Sequence, residues 1–264
     1  MAAGGERKTL LALNTELLKQ RTLATTEAFT FKAKDGLEVE AYITLPLGRT
    51  ATSRHPMIVN MHGGPHGAQS AEFNNKAQAY ASHGYATLMV NYRGSTGYGQ
   101  KFADAIFGDQ DGKEAEDVLS GVDAALTKYP FLDPERLGLE GGSYGGQLTD
   151  WIITRTSRFK AAVPAAGIAN LVSFNYMAYY HDYLAVEYGR YPHEGGLMDT
   201  LWAHSALRYA DRLAEVGAIA SIGGDAASAV PKLQEVLKAA TAAGGSVGAA
   251  YTSAFSSREY GPRF

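Results

Sequence analysis

Gly141-Gly142-Ser143-Tyr144-Gly145-Gly146 is the stretch on which the reading of this chain turns. Before it, Arg136 to Glu140 forms a short strand after the Asp133-Pro134 turn. After it, residues from about Gln147 to Thr156 have helical character. A serine set between glycines at the passage from strand to helix matches Gly-x-Ser-x-Gly. The pattern has a steric reason. The turn is strained, and the flanking glycines let neighbouring backbone pass without a Cβ clash, so the serine hydroxyl stands clear. The N–H of Tyr144 opens the helix and points where negative charge can be received. A glycine-rich turn with an incidental serine is the plainer alternative, and the strand-turn-helix context weighs against it.

Working outward, strands and helices alternate. Phe159 to Ala166 returns to strand. Upstream, Lys113 to Lys128 carries Ala115, Val118, Leu119, Val122, Ala125 and Leu126 at three- and four-residue spacing, one apolar stripe along a helix. Pro56 to Met61 and Tyr85 to Val90 are short apolar runs of buried parallel strands, with a helical segment around Ala71 to Ser82 between them. Residues 27–33 and 37–45 alternate in polarity around Lys34-Asp35-Gly36, a β-hairpin signal. Further helices are expected near Asp199 to Tyr209 and over Lys232 to Ala243. The expected fold class is α/β, a mostly parallel, doubly wound sheet with helices on both faces.

A second motif, His62-Gly63-Gly64-Pro65-His66-Gly67, follows the strand ending at Met61. In an α/β-hydrolase fold a His-Gly-Gly loop at that place supplies a second backbone donor to an oxyanion, here from Gly64. Together with the serine turn it makes the α/β-hydrolase fold the expectation. The glycine- and tyrosine-rich run Asn91 to Gly99 lacks the Lys-Ser/Thr ending of a phosphate loop and reads as a structural loop beside the site. Glu114, Glu116 and Asp117 are expected on a solvated helix face. The aromatic segment Phe174 to Tyr180 fits a pocket lining and core packing about equally well.

Composition narrows the classes further. A net charge of −3 argues against a nucleic-acid partner. With no cysteine there is no disulfide framework, thiolate metal site or cysteine nucleophile, and no His/Asp/Glu cluster has metal-site spacing. No cofactor is expected. No apolar run approaches the ~20 residues of a membrane span, and Met1 to Leu10 lacks the core of an export signal, so the expected location is the cytoplasm with no membrane partner.

The segments HGGPHG, NYRGSTGYGQKF, GDQDGKEAEDVLSGVDAAL, LDPERLGLEGGSYGG and RFKAAVPAAG, in this order and spacing, resemble the catalytic domain of the prolyl oligopeptidase family, in its acylaminoacyl-peptidase and dipeptidyl-peptidase-like branch. The resemblance runs from about residue 5 to about residue 212. It implies a serine peptidase acting on short peptides, with Ser143 as nucleophile and the N–H groups of Tyr144 and Gly64 as the oxyanion hole. Gly4 to Leu10 is similar to the end of a last propeller blade, so residues 1–26 are expected to be a propeller-end or linker remnant and 27–264 the catalytic domain. The β-propeller of relatives is absent from the sequence, and its peptide-terminus site and size filter do not carry over.

The C-terminal part departs from the family pattern. The triad order of this fold is Ser, then Asp or Glu, then His. The family's acid stands three residues before a Val-Pro pair; before Val230-Pro231 that position is Ala227, and Asp225 lies two residues earlier. Asp225 is the candidate acid, with a plain turn aspartate as the alternative. All seven histidines precede it, and Arg258-Glu259-Tyr260-Gly261 has a tyrosine near where the family's base would stand. His62, His66, His181, His193 and His204 read as loop or surface residues rather than a relocated base. An esterase of the same fold and a catalytically impaired relative or fragment stay open at this point.

Overall fold

The polarity alternation around Asp35-Gly36 yields the expected hairpin: β1 (Thr26–Lys32) pairs antiparallel with β2 (Glu38–Thr44), and Gly36 takes φ 86° at the turn. The computed structural model describes residues 12–215 apart from 178 and 181. A short exposed helix, α1 (Thr15–Lys19), precedes the hairpin. Strands β3 (His55–Met61), β4 (Ala86–Asn91), β5 (Leu132–Gly142) and β6 (Phe159–Ala165) complete a six-stranded sheet in the order β1-β2-β4-β3-β5-β6. β2 alone runs against the others, and β4, β3, β5 and β6 are parallel. This is the α/β-hydrolase fold expected from the two loop motifs.

Helices cover both faces. Asn74 caps α2 (Asn75–Ser82), and its Nδ2 also reaches Met89 Sδ at 3.7 Å. After the short α3 (Gln100–Ala103) comes α4 (Lys113–Lys128), where a Cβ on Gly121 would lie 2.9 Å from Val90 Cγ2 and 3.0 Å from Phe31 Cζ. Met89 and Val90 are successive strand residues and point to opposite sides, so α2 and α4 pack on opposite faces. All six residues of β4 are buried in consequence. The predicted α4 stripe is buried at Val118, Val122 and Ala125, and each such valine contributes roughly 1.5–3 kcal/mol of apolar burial. Helix α5 (Tyr144–Ile153) packs beneath β5 and β6.

Several boundaries differ from the sequence expectation for identifiable reasons. α2 begins at Asn75 rather than near Ala71, because Asn74 Oδ1 accepts the Ala77 N–H at 3.0 Å and sets the start. α5 begins at Tyr144 rather than near Gln147, because the serine turn opens directly into the helix. β5 starts at Leu132, but its pairing with β3 jumps from His55–Leu132 to Met57–Leu137, so the Asp133-Pro134 turn survives as an excursion within the strand. The helix expected over 199–209 is divided into α8 (Leu197–Ala203) and a 3₁₀ segment, Ala206–Glu215. Between them Ser205 Oγ donates to Leu201 O and accepts the Leu171 N–H. Two short helices unread in the sequence, α6 (Leu171–Met177) and α7 (Tyr183–Tyr188), fill the aromatic stretch. The expected helix 232–243 lies outside the described residues. No helix among the described residues is long and apolar enough to cross a membrane.

Candidate active site

The parallel register builds the site before any side chain is considered. Met61 at the end of β3 pairs with Gly141 of β5, and Gly142 pairs with Ala165 of β6. The residues after Met61 and after Gly142 therefore emerge side by side. Ser143 leaves β5 with φ 56° and ψ −121°, and its N–H donates to Ala165 O at 2.9 Å. A non-glycine residue in that region costs roughly 1–3 kcal/mol, held here by the surrounding packing. The close approach explains the glycine at 145: a Cβ there would lie 2.3 Å from Met61 O. Ser143 is exposed, and its hydroxyl makes no capping bond to α5. The first α5 bond is Gln147 N–H to Ser143 O at 3.0 Å, so the Tyr144 N–H lies in the turn where helices leave donors unpaired.

The loop 62–67 meets this turn as expected. A Cβ on Gly63 would lie 3.2 Å from Ser143 Cβ and 3.8 Å from Ser143 Oγ, so loop backbone passes beside the serine. Gly64 takes φ 132°, closed to side-chain-bearing residues by a 2.4 Å approach to His66 N. The loop is fastened to 91–96, the run read as structural. Tyr92 OH donates to His62 O at 2.7 Å and its ring stacks on His62 at 4.2 Å. Ser95 Oγ donates to Tyr92 O at 2.6 Å, and His62 meets Ser95 Oγ at 2.8 Å through Nε2 and Gly63 O at 2.9 Å through Nδ1. His66 Nδ1 donates to Gly94 O at 2.7 Å and Thr96 N–H to Gly67 O at 3.0 Å. Burial holds the His62 pKa below its usual value, which favours the neutral ring.

The carboxylates of α4 require a correction. Glu116 is exposed, but Glu114 and Asp117 are fully buried. Asp117 accepts from Arg93 at its backbone N (2.9 Å), Nε (2.8 Å) and Nη2 (2.7 Å), and Arg93 also reaches Asp35 at 2.8 and 3.0 Å. Glu114 Oε1 accepts the Tyr144 hydroxyl at 2.7 Å and the Asp111 N–H at 2.6 Å, and its Oε2 accepts the Gly112 N–H at 3.1 Å. Asp111 Oδ2 accepts Gln147 Nε2 at 2.9 Å. Burial pushes Glu114 up to about 7 and raises Asp111 well above the ordinary carboxylate range, with the Glu114 charge adding to the latter. These partners come from other loops, so helical periodicity gave no sign of them. The only local signal is the shared three-residue spacing of Asp111 and Glu114 and of Tyr144 and Gln147.

Strain gathers at the same place. Among the described residues the non-glycine positions with positive φ are Asp111 (61°), Ser143 (56°) and Ala166 (49°). Asp111 binds Gln147, and Ala166 lies between the acceptor of the Ser143 N–H and Gly167, which sits against Gly146. All three flank the first turn of α5. Three more described histidines hydrogen-bond elsewhere, His55 to Gly84 O and Ser53 Oγ, His204 to Gln110 O while stacked on Trp151, and His83 to Ala79 O, and His193 stacks on Tyr191. His181 and Asp225 lie outside the described residues. No group of His, Cys, Asp and Glu suited to a metal ion occurs among the described residues. The segment 174–180 does not serve as core packing throughout: Phe174 packs inward, whereas Met177 is 85% and Tyr179 90% exposed.

Comparison with known proteins agrees with this fold. The prolyl oligopeptidase family profile matches residues 71–257, and an acetyl xylan esterase profile matches residues 11–125. A protein of Bacillus subtilis named "Uncharacterized peptidase YuxL" is 37% identical over 210 residues, which is 78% of this chain and 31% of that protein. An acylamino-acid-releasing enzyme of Arabidopsis thaliana is 31% identical over 165 residues, 62% of this chain and 21% of that one. The solved Pyrococcus horikoshii acylaminoacyl peptidase superposes with a TM-score of 0.77 at 27% identity, covering 94% of this chain and 40% of that one. An acylaminoacyl peptidase in complex with Z-Gly-Gly-Phe-chloromethyl ketone gives 0.78 at 28% identity, covering 95% and 40%. The chain thus spans less than a third of the length of these curated relatives.

Proposed function

The chain belongs to the prolyl oligopeptidase family, and from that premise we propose that it carries the hydrolase part of a serine peptidase acting on short peptides, with Ser143 as the nucleophile. The observation that carries this reading is the exposed Ser143 at φ 56° with the Gly63 backbone beside it. Ser143 Oγ attacks the scissile carbonyl carbon and gives up its proton. The carbonyl oxygen becomes an oxyanion received by the N–H groups of Tyr144 and Gly64. The tetrahedral centre collapses, the amine leaves with a proton, and water later releases the acyl group from Ser143. Asp225 is the proposed acid. None of the six described histidines hydrogen-bonds Ser143, so the base is not assigned to any of them. Residues 27–264 are the proposed catalytic domain, with 1–26 as a linker.

An oxyanion hole without a complete triad still leaves ~10³–10⁴-fold catalysis over water. Activated esters are therefore the first substrates expected to turn over. The test compares p-nitrophenyl acetate with aminoacyl- and dipeptidyl-naphthylamides, using Ser143→Ala throughout as the reference. Naphthylamide hydrolysis lost in Ser143→Ala supports the peptidase. Ester hydrolysis alone points to an esterase of the same fold, and rates equal to Ser143→Ala on every substrate overturn the reading.

A further inference from the structure

We propose that Glu114 is a positioning residue for the oxyanion-receiving N–H of Tyr144, acting through the Tyr144 hydroxyl, with Asp111 as its counterpart through Gln147. The proposal rests on the serine-hydrolase reading above and extends it to residues that never meet the substrate. Tyr144 carries both groups concerned: a backbone N–H at the opening of α5 and a buried phenol whose hydroxyl donates to Glu114 Oε1 at 2.7 Å. Its ring is tilted against Tyr92, centroids 6.4 Å apart, and Tyr92 also holds His62 of the facing loop. The ring that orients one oxyanion donor thus leans on the ring that fixes the loop bearing the other.

The first turn of a helix has no intrahelical acceptors for its own N–H groups, so its orientation must come from elsewhere. Here side chains supply it. Tyr144 and Gln147 are three apart and share a face of α5. Each is gripped by a carboxyl from residues 111–114, at 2.7 and 2.9 Å. That segment is itself locked, because Glu114 accepts the N–H groups of Asp111 and Gly112. Asp111 Oδ1 and Gln147 Oε1 have no partner among the described residues. A neutral Asp111, which its burial favours, brings one O–H donor to a cluster otherwise rich in acceptors. No ion pair is made by Asp111 or Glu114 among the described residues, so the grip is one of direction rather than net charge. Direction matters strongly at this point: a displacement of about 1 Å in a reacting geometry costs on the order of 10²-fold.

The test measures kcat and KM for p-nitrophenyl acetate, and inhibition by an arylboronic acid, in wild type, Tyr144→Phe and Glu114→Gln. The boronate adduct on Ser143 places an oxygen where the oxyanion forms, so its affinity follows donor alignment. The expected result is a kcat lower by about 10- to 100-fold in both variants, a matching loss of boronate affinity, and KM within about twofold of wild type. A purely structural role for Glu114 would lower the folded fraction, and with it the apparent kcat, but would leave the boronate affinity at its wild-type value. If Glu114→Gln fails to fold, Tyr144→Phe decides alone, since it removes one hydroxyl and leaves ring and N–H in place. Wild-type kcat and boronate affinity in Tyr144→Phe overturn the proposal. A wild type no faster than Ser143→Ala overturns the underlying reading instead, and the two failures are told apart by that control.

Discussion

Two acidic groupings sit a turn apart at the start of α4 and are held in opposite ways. Asp117 faces the guanidinium of Arg93, which also spans to Asp35 in the hairpin turn, so three distant segments are bolted through one cation. Asp111 and Glu114 meet no cation in an ion pair among the described residues and are held by a phenol, an amide and backbone N–H groups. Burial raises the pKa in both places, but at Asp117 the guanidinium opposes it. The difference separates two jobs. A buried ion pair fixes where the 91–99 loop, the hairpin and α4 meet. A cation-free carboxyl pair fixes the direction of a helix start without placing a strong charge against the serine turn.

The contrast is broken most severely at the cation. Arg93→Leu strands a fully buried Asp117, and breaking such a pair costs roughly 3–5 kcal/mol. The expected fall in melting temperature is on the order of 10 °C for a domain of this size. A shift of a degree or two would show that the bolt is not structural.

A smaller effect per group is expected from pH at the other grouping. Glu114 rises from 4.5 to about 7 on folding. Between those values the folded protein keeps a proton that the unfolded chain has released, so this group's stabilisation is complete below pH 4.5 and is lost as pH rises through 7. Asp150, raised to about 7 by burial, acts in the same direction, and so does Asp111, which burial raises well above the ordinary carboxylate range. Urea unfolding from pH 5 to 8 should show stability declining with pH, by up to about 1.4 kcal/mol per pH unit for each proton. Glu114→Gln should remove one proton from that slope. An unchanged slope would reassign the pH dependence to Asp150 and Asp111.

The least effect is expected at the exposed arm of the bolt. The Arg93 guanidinium lowers the Asp35 carboxyl to about 2, but Asp35 is 43% exposed at its side chain. Asp35→Asn should therefore cost no more than about 1 kcal/mol in thermal or denaturant unfolding. A loss as large as that of Arg93→Leu would mean that the hairpin arm, not Asp117, carries the bolt.

The same two groupings show what sequence could and could not disclose. The serine turn, the 62–67 loop and the parallel strands were legible because each is local: a period of two or 3.6, or a glycine where backbone must pass within 2.3 Å of Met61 O. The α4 helix was legible to its ends for the same reason. The burial of Glu114 and Asp117 was not, because charges facing away from an apolar stripe look solvated until Arg93 and Tyr144 arrive from other segments. Helices α6 and α7 were hidden by their shortness and by aromatic residues with no consistent period. Tyr176 in α6, and Tyr179 and Tyr180 between the two helices, are exposed and follow no core-facing pattern.

Reaction with a fluorophosphonate probe, followed by mass mapping of the digested protein, tests the role given to the serine turn most directly. One adduct on Ser143, absent from Ser143→Ala, is the predicted outcome. A folded wild type that takes no adduct, or takes it at another serine, contradicts the account.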